Sequence, residues 1–339
     1  MKKDKLFSIC IPSYNRPIEL RRLLDSIDTT RINDIEIVIC EDNAPKRKEV
    51  SSQVDDFKKT SPYELVYIEN ENNCGYDKNL RNLINSATGD YILFMGDDDM
   101  FIPGRLDGFI NFVVKHPNCG YFLRCYQNIS SDGSIAEFKY FKEDMVFMPS
   151  VETYISMFDK SVFISGFTVK RNYAKAIETE QFDGSLLYQM YLLTEICRKY
   201  PSGYYNIPIT QAIEGGVPFF GNSESEKDLY DPGTVSVRNS VNFMRWYCKL
   251  IDFSAEKYKD DSNYRIRHNM SKYSYSFMCE QRDKGISVFN SYVKELKKMG
   301  FASSCYFYIY YVGLILIGTK NCSSIIKKLK KLFGRRPQL

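Results

Sequence analysis

Residues 91–99 read Tyr-Ile-Leu-Phe-Met-Gly-Asp-Asp-Asp, an apolar run that ends in three adjacent carboxylates. The apolar part predicts a buried strand, and a strand of this kind ends at the edge of a sheet, so the acidic residues occupy a fixed place. Three like charges side by side repel, and a divalent cation with oxygen ligands is the simplest compensation. Solvated carboxylates or a helix cap are the alternative. The position after a buried strand favours a metal–phosphate site.

The first hundred residues alternate between apolar runs and helix-like patterns. The runs lie at 7–11, 35–40, 65–68 and 91–95, and the helical patterns at 17–27, 49–59 and 79–87. This alternation predicts a Rossmann-like α/β fold with a mostly parallel central sheet flanked by helices. Ligands of such sheets collect at the carboxyl ends of the strands. The polar clusters at 12–15, 41–43 and 97–99 each follow a strand end, so we expect them to converge.

The patterns beyond residue 100 predict fewer strands and more helices. Asp132-Gly133 between two apolar stretches indicates a hairpin, and 184–200 indicates a helix. Gly215-Gly216 lie in a segment, 213–221, that forms either a closing loop or an ordinary turn. The predicted organisation is an α/β domain over 1–220, a helical extension over 221–300, and an apolar segment with a basic tail over 301–339.

The composition argues against several classes of protein. Ten cysteines without a Cys-x-x-Cys pair, and only two histidines, argue against a zinc site and favour a reducing, cytosolic compartment. The apolar run after the N-terminus is too short for the core of a signal peptide. No Gly-x-Gly-x-x-Gly motif follows the first strand, which argues against a dinucleotide-binding dehydrogenase.

Four stretches form a joint pattern along the first hundred residues. They are 8–16 (Ser-Ile-Cys-Ile-Pro-Ser-Tyr-Asn-Arg), 37–44 (Ile-Val-Ile-Cys-Glu-Asp-Asn-Ala), 72–79 (Asn-Asn-Cys-Gly-Tyr-Asp-Lys-Asn) and 87–99, which adds Ala-Thr-Gly-Asp before the run quoted above. Their order and spacing resemble the family 2 glycosyltransferases of the GT-A fold, and most of all the abequosyltransferase-like branch of bacterial surface-polysaccharide enzymes. The resemblance covers residues 6–120 and is weak over 150–220.

The resemblance implies a nucleotide site at the strand ends. The residues that it places along the nucleotide are Pro12, Ser13, Tyr14, Asn15, Arg16, Asp42, Asp77, Asn79 and Asp97. Among these, Asp42 contacts the base and Asp97 the ribose side. Taken alone, residues 12–16 also fit a helix entry, Asp42 a turn, and Asp77 and Asn79 the N-terminal cap of a helix.

The resemblance further implies an Mg²⁺ or Mn²⁺ ion. Asp98 is the implied ligand and Asp99 an alternative or supporting one, while Gly96 stands where many members have their first aspartate. The implied activity is that of a metal-dependent, inverting glycosyltransferase. It moves a hexosyl or deoxyhexosyl group from a nucleotide-sugar donor to a polysaccharide or lipid-linked oligosaccharide acceptor. A non-catalytic nucleotide-sugar-binding or carbohydrate-binding protein with the same fold is the alternative.

The family also uses a carboxylate base from a later segment of the chain. Asp183, just before the predicted helix at 184–200, is the best-placed residue to take the proton of an acceptor hydroxyl. A plain helix cap is its alternative. Glu180, Glu195 and Glu214 are rivals for the same role.

Residues 301–319 raise the question of a membrane. This segment has no charged side chain and approaches the ~20 residues of a spanning helix. A span would put the tail at 320–339, which has seven basic residues and no acidic one, outside, against the positive-inside rule. Basic flanks on both sides and many tyrosines favour a segment lying in the interface on anionic lipid, with a buried core helix as the alternative. We therefore predict a cytoplasmic protein, peripheral on the inner membrane surface. No nucleic-acid partner is expected, because no other basic stripe is present.

Overall fold

The computed structural model describes residues 5–216 and 218–333, which form two compact units. One unit ends at Thr234 and the other begins at Val235. This boundary lies later than the predicted residue 220 because the intervening residues are bonded into the first unit. The buried Glu226 carboxylate accepts hydrogen bonds from the backbone N–H groups of Tyr76, at 2.9 Å, and Gly221, at 2.8 Å.

The first unit contains two sheets. Their strands are β1 (Phe7–Ser13), β2 (Ile35–Glu41), β3 (Glu64–Glu69), β4 (Tyr91–Phe94), β5 (Met100–Phe101), β6 (Tyr121–Arg124), β7 (Tyr126–Ile129), β8 (Ile135–Phe138), β9 (Met145–Phe147), β10 (Phe167–Lys170), β11 (Ser202–Tyr205) and β12 (Thr210–Ile213). The main sheet has the order β3-β2-β1-β4-β10-β6-β11-β9 and the smaller one the order β5-β12-β7-β8. β1 to β4 are parallel, whereas β10 and β9 run antiparallel to their neighbours. The predicted mostly parallel α/β sheet is confirmed.

Seven α-helices accompany these sheets within the described part of the first unit. They are α1 (Pro17–Asp25), α2 (Arg47–Thr60), α3 (Tyr76–Ser86), α4 (Leu106–Lys115), α5 (Val151–Phe158), α6 (Arg171–Ala176) and α7 (Tyr188–Cys197). Apolar side chains of β1, β2 and β4, such as Ile9, Ile37 and Leu93, are fully buried in the core beneath them. Each such burial stabilises the fold by roughly 1.5–3 kcal/mol.

The stretch that precedes Asp132-Gly133 forms two strands. β6 belongs to the main sheet and β7 to the smaller one, and they separate at Cys125. β7 and β8 form the predicted antiparallel hairpin around Asp132-Gly133. The division at Cys125 lets one segment support both sheets.

The strand order reverses between β1 and β4. β1 pairs in parallel with β2 on one side and with β4 on the other. The chain therefore adds β2 and β3 on one side of β1 and places β4 on the opposite side. Open α/β sheets bind ligands in the crevice outside the carboxyl ends of the strands where the order reverses. Ser13, at the end of β1, and Asp97, just after β4, border this crevice.

The second unit is helical over its described residues, which confirms the predicted helical C-terminal extension. Its helices are α8 (Val237–Tyr258), α9 (Ser262–Lys272), α10 (Tyr275–Asp283), α11 (Ile286–Lys298) and α12 (Cys305–Phe333). α12 is interrupted at Gly318, whose φ of 71° and ψ of 176° are not helical. Two helical segments therefore meet at this glycine, one on each side.

Candidate active site

The acidic turn, residues 96–99, follows β4 in the chain, and its Asp97 side chain is bonded to the residues that follow β1. Asp97 accepts a hydrogen bond from the backbone N–H of Tyr14 at 3.0 Å, and its other oxygen pairs with Arg16 at 2.8 Å. Burial raises the pKa of Asp97 to about 6, and the Arg16 charge opposes this shift. The predicted meeting of the Tyr14 region with the acidic cluster is thus present in the structure.

Asp98 and Asp99 differ in how far they reach solvent. The Asp98 side chain is 31% exposed and pairs with Arg16 at 3.0 Å, while its backbone carbonyl accepts a hydrogen bond from Arg22 at 2.5 Å. Asp99 is buried and accepts a hydrogen bond from the Ser165 hydroxyl. Burial, and then the neighbouring Asp98 charge, raises the pKa of Asp99 to about 8. Of the two, Asp98 is the more open to a ligand.

The acidic turn fits a divalent cation at Gly96. A Cβ on Gly96 would stand 3.1 Å from an oxygen of Asp98 and 3.1 Å from an oxygen of Asp99, so both oxygens turn toward one small space. No group of three or more His, Cys, Asp or Glu side chains arranged to hold a metal occurs within 5–216 and 218–333. Mg²⁺ is commonly held by one or two carboxylates together with waters and substrate phosphates. Two carboxylates therefore leave coordination positions of such an ion open for waters and for substrate phosphates.

Asp42 lies at the end of β2 and organises the turn at 73–75. One of its oxygens accepts from the Cys74 backbone N–H and the other from that of Gly75, both at 2.9 Å, and Asn70 donates to it at 2.7 Å. Its own N–H donates to the Ser13 carbonyl at 3.1 Å, which ties β2 to β1. Asp42 therefore fixes the position of the turn beside Tyr14. A nucleobase of the donor reaches the Asp42 carboxylate only by sharing it with these hydrogen-bond donors.

The remaining residues after β1 hold the chain in a tight turn. Asn15 has a positive φ of 62°, and its side chain accepts a hydrogen bond from the Lys46 N–H at 3.2 Å. The buried Ser13 hydroxyl has no hydrogen-bond partner within the described residues. Pro12 is half-buried and opposite Cys40 of β2 in the register. These contacts fix the path of the loop that the resemblance assigns to the nucleotide.

Asp77 and Asn79 are not on the surface of the crevice. α3 begins at Tyr76, earlier than the predicted 79, so both residues lie inside it and are buried. Asp77 accepts hydrogen bonds from the N–H groups of Leu186 and Tyr188, both at 2.9 Å, and Asn79 donates to the Cys40 carbonyl at 3.0 Å. In this structure their side chains fasten other segments to α3.

Asp183 does not stand at the start of a helix, because α7 begins only at Tyr188. Both of its carboxylate oxygens accept hydrogen bonds from the guanidinium of Arg81 in α3, one of them at 2.9 Å. Among the rivals, the buried Glu195 pairs with Lys199 and the exposed Glu180 lies 3.6 Å from Arg81. Glu214 is exposed and is two residues before Gly216, which lies next to the acidic turn.

The segment after β12 contributes contacts that the sequence did not reveal. A Cβ on Gly216 would lie 3.3 Å from an Asp98 oxygen. The Phe219 ring lies 5.8 Å from the Tyr14 ring, and the Arg16 guanidinium carbon lies 5.1 Å from the Phe219 centroid. Phe219 thus joins Tyr14 and Arg16 at the crevice, although it is over two hundred residues away from them along the chain.

Residues 8–168 match the family model described as glycosyl transferase family 2. The abequosyltransferase RfbV of Salmonella typhimurium is 32% identical over 94 residues, which are 28% of this chain and 28% of that protein. The chain spans only 28 to 40% of the lengths of three curated relatives, RfbV among them.

Two solved structures share the fold at low sequence identity. TarS residues 1–349 of S. aureus, in complex with UDP, has a TM-score of 0.60 at 13% identity and covers 90% of this chain and 86% of its own. The mannosyltransferase PcManGT of Pyrobaculum calidifontis, in complex with GDP-Man and Mn²⁺, has a TM-score of 0.52 at 14% identity and covers 98% and 88%. These likenesses concern the fold. The resemblance predicted from the four stretches is confirmed: residues 8–168 match the model of glycosyl transferase family 2, and the fold is shared with solved GT-A glycosyltransferases.

Proposed function

We propose that this protein is a metal-dependent, inverting glycosyltransferase that uses a nucleotide-sugar donor. Its acceptor is a polysaccharide or a lipid-linked oligosaccharide of a bacterial surface glycan, and the group moved is a hexosyl or deoxyhexosyl. The observation that carries the proposal is the hydrogen bond from Tyr14 to Asp97, because it joins the aromatic loop after β1 to the acidic turn after β4. The names of the relatives support the same class of reaction.

The donor occupies the crevice between these strand ends. Tyr14 and Phe219 offer aromatic faces, which favour a flat base. Arg16 stands between them and the acidic turn. Its guanidinium suits an anionic diphosphate, since arginine binds phosphates through paired donors. The turn that Asp42 holds closes the side of the crevice beside Tyr14.

Asp98 and Asp99 are the proposed ligands of Mg²⁺ or Mn²⁺. The ion, when bound, offsets the negative charge that develops on the leaving diphosphate. The chain's own part is to turn the two carboxylates to the same side of Gly96 and to keep Arg16 against Asp97 and Asp98. Asp97, which is fully engaged by Tyr14 and Arg16, stays a support for this arrangement.

A carboxylate base remains part of the proposal, with Asp183 as its first choice and Glu214 as the rival. Asp183 is held near the first turn of α3 because Asp77 fastens residues 186–188 to that helix. An acceptor hydroxyl has to share the Asp183 oxygens with Arg81, which donates to both of them. We expect Asp183→Asn to lower kcat by about 100-fold or more with the donor KM unchanged, and Glu214→Gln to change it only a few-fold. The opposite result would move the base to Glu214.

The decisive test of the function is a screen of nucleotide sugars for Mn²⁺-dependent protection against thermal unfolding. A ligand that binds only the native protein raises the unfolding midpoint. We expect one donor class to protect the wild type and not Asp98→Asn, and the same donor to be hydrolysed or transferred. Protection without any turnover would support the non-catalytic binding protein. No protection by any donor, with or without Mn²⁺, would contradict both.

The second unit supports the proposed place at a membrane surface. Residues 305–326 are long and apolar enough to cross a membrane, with a mean hydropathy of 1.3, yet only 11% of their most apolar window is buried. Exposed apolar side chains recur at helical spacing along one face of α12, at Ile309 (60% exposed), Val312 and Leu316 (74%). Lys297 at the end of α11 lies 5.4 Å from the Tyr308 ring. An aromatic and aliphatic face beside lysines suits anionic lipid headgroups.

The opposite face of α12 favours a helix that lies in the interface rather than one that spans. Phe307 and Leu314 are fully buried, and α12 packs on α9 and α10. At the interruption, the Leu314 carbonyl, which would accept from residue 318 in an unbroken helix, accepts from Arg282 at 3.0 Å. To span a membrane, α12 would have to lose its packing on α9 and α10, and Gly318 would have to adopt helical φ and ψ angles.

Vesicle flotation tests the membrane proposal. We expect the wild type to float with vesicles that contain phosphatidylglycerol and less with phosphatidylcholine alone. Leu316→Glu should abolish flotation, while Ile18→Glu, a matched change at a residue 77% exposed in the first unit, should not. Resistance of the bound protein to extraction at high pH would indicate a full span instead.

A further inference from the structure

The acidic turn is supported from inside the protein by Ser165. Ser165 lies in the short 3-10 turn Ile164–Gly166 and is fully buried. Its hydroxyl oxygen accepts a hydrogen bond from the Gly96 N–H at 2.8 Å, and its proton is donated to Asp99. A hydroxyl has one proton to donate. Gly96 and Asp99, the two ends of the acidic turn, are therefore both bonded to Ser165 Oγ, which accepts from the first and donates to the second.

Arg124 fixes Ser165 in turn. Its guanidinium, at the end of β6, donates to the Ser165 carbonyl at 2.7 Å and also to the Thr168 hydroxyl. Thr210 donates to the same Ser165 carbonyl at 3.3 Å. The Arg124 guanidinium carbon lies 5.0 Å from the Phe109 ring centroid. The peptide of Ser165 is thus held by side chains from two strands.

Arg124 is unusual because it is a fully buried cation without an acidic partner among the residues that the structure describes. Burying a charge is unfavourable unless other groups compensate. Burial lowers the pKa of Arg124 to about 9. The acidic group to which its hydrogen bonds lead, through Ser165, is Asp99. Arg124 is therefore connected to Asp99 through Ser165, whose carbonyl accepts from Arg124 and whose hydroxyl donates to Asp99.

We propose that Ser165 and Arg124 are positioning residues for the divalent ion, and this inference rests on the proposed metal-dependent transfer. They hold Asp99 and the backbone of the acidic turn so that the oxygens of Asp98 and Asp99 face the same space at Gly96. Neither residue touches the donor or the ion. Partners of this kind orient metal ligands, and their loss typically weakens metal affinity or activity about 10- to 100-fold.

The first test is Mn²⁺ binding to the purified full chain, followed by electron paramagnetic resonance with Mn²⁺ alone as the probe. We expect Ser165→Ala to weaken Mn²⁺ binding about 10-fold or more. Ser161→Ala is the matched control, since Ser161 is also buried and its hydroxyl donates to the Met157 carbonyl rather than to the acidic turn. Both variants should lose similar thermal stability, but the control should bind Mn²⁺ as the wild type does. Equal Mn²⁺ affinity in Ser165→Ala and Ser161→Ala would overturn the inference.

A second pair of variants examines Arg124. Arg124→Met should weaken Mn²⁺ binding, and Arg124→Lys should recover part of it because an ammonium group can again donate to the Ser165 carbonyl. Thr168→Val removes a hydrogen bond of Arg124 that does not involve Ser165, and it should leave Mn²⁺ binding unchanged. A wild type that binds no Mn²⁺ would overturn both this inference and the proposed metal dependence. A wild type that binds Mn²⁺ through Asp98, with Ser165→Ala unaffected, would overturn this inference alone.

Discussion

Arg81 and Asp183 form a two-point ion pair between α3 and the segment before α7. The Arg81 Nη2 atom lies 2.9 Å from Asp183 Oδ2, and Nη1 donates to the other oxygen. The Arg81 side chain is 4% exposed and that of Asp183 23%, so solvent screens the pair only in part. A residue chosen as a catalytic base is thereby also a structural link, and the two roles have to be separated by experiment.

A double-mutant cycle separates them. We expect Asp183→Asn and Arg81→Met each to lower the free energy of unfolding by roughly 1–3 kcal/mol, and the double variant to lose clearly less than the sum. Urea denaturation measures the coupling. Strict additivity would show that the pair adds nothing to stability, and any effect of Asp183→Asn on turnover would then be chemical.

Gly75 should tolerate a side chain much less well than Gly133. Both have a positive φ, of 84° and 80°, so alanine is strained at either position. At Gly133 nothing lies near the new Cβ, whereas at Gly75 it would come within 2.5 Å of Ser223 Oγ and 2.8 Å of a Glu226 oxygen. Glu226 can move only by giving up the Tyr76 amide.

We therefore expect Gly133→Ala to lower the free energy of unfolding by about 1 kcal/mol, and Gly75→Ala by about 1–2 kcal/mol more. Urea titrations of the two variants give the comparison. Equal losses would mean that the contact between Glu226 and α3 is not maintained in solution.

Asp77 should make stability depend on pH. Burial, with smaller contributions from the Glu226 and Asp183 charges, raises its pKa to about 7 against the hydrogen bonds from Leu186 and Tyr188, which lower it. The folded-state pKa thus exceeds that of an unfolded aspartate, about 3.9. The folded protein holds the proton more tightly, so this contribution to stability is complete below about pH 4 and is lost as the pH rises through 7.

The difference in unfolding midpoint between the wild type and Asp77→Asn isolates this contribution, because the other titrating groups are common to both. We expect the wild type to exceed the variant by more at pH 5 than at pH 8. A difference that stays constant between these pH values would show that Asp77 titrates normally.

The strand ends were predictable because each depends on neighbours in the sequence. The runs at 7–11, 35–40 and 91–95 are mainly apolar stretches, and polar residues follow each of them within two positions. Parallel pairing then brings those ends to one edge, which is why Tyr14 and Asp97 meet. The local sequence of each strand was therefore enough to predict where the strand ends and which polar residues lie there.

The contacts from later segments were not predictable in this way. Phe219, Ser165 and Arg124 reach the crevice or its support through tertiary packing, and nothing adjacent to them in the sequence marks that role. The helix boundaries explain the other differences. Asp77 fell inside α3 because a glycine with positive φ lets this helix begin at Tyr76.

Arg16 should be hard to replace, even by lysine. Its two terminal nitrogens reach different carboxylates, Asp97 and Asp98, and the single ammonium of a lysine lacks this forked geometry. We expect Arg16→Lys to lower the free energy of unfolding by about 1–2 kcal/mol, because Asp97 is buried and keeps only the Tyr14 amide.

Arg21→Lys is the matched control for this change, since Arg21 forms an exposed pair with Asp25 on α1, and such pairs contribute little. Its loss should stay within about 0.5 kcal/mol. Raising the salt to about 1 M should leave the Arg16→Lys loss nearly unchanged, because ions screen partly buried pairs poorly. If salt removed that loss, or if both variants were equally stable, Arg16 would be a surface charge and not the bridge between the two aspartates.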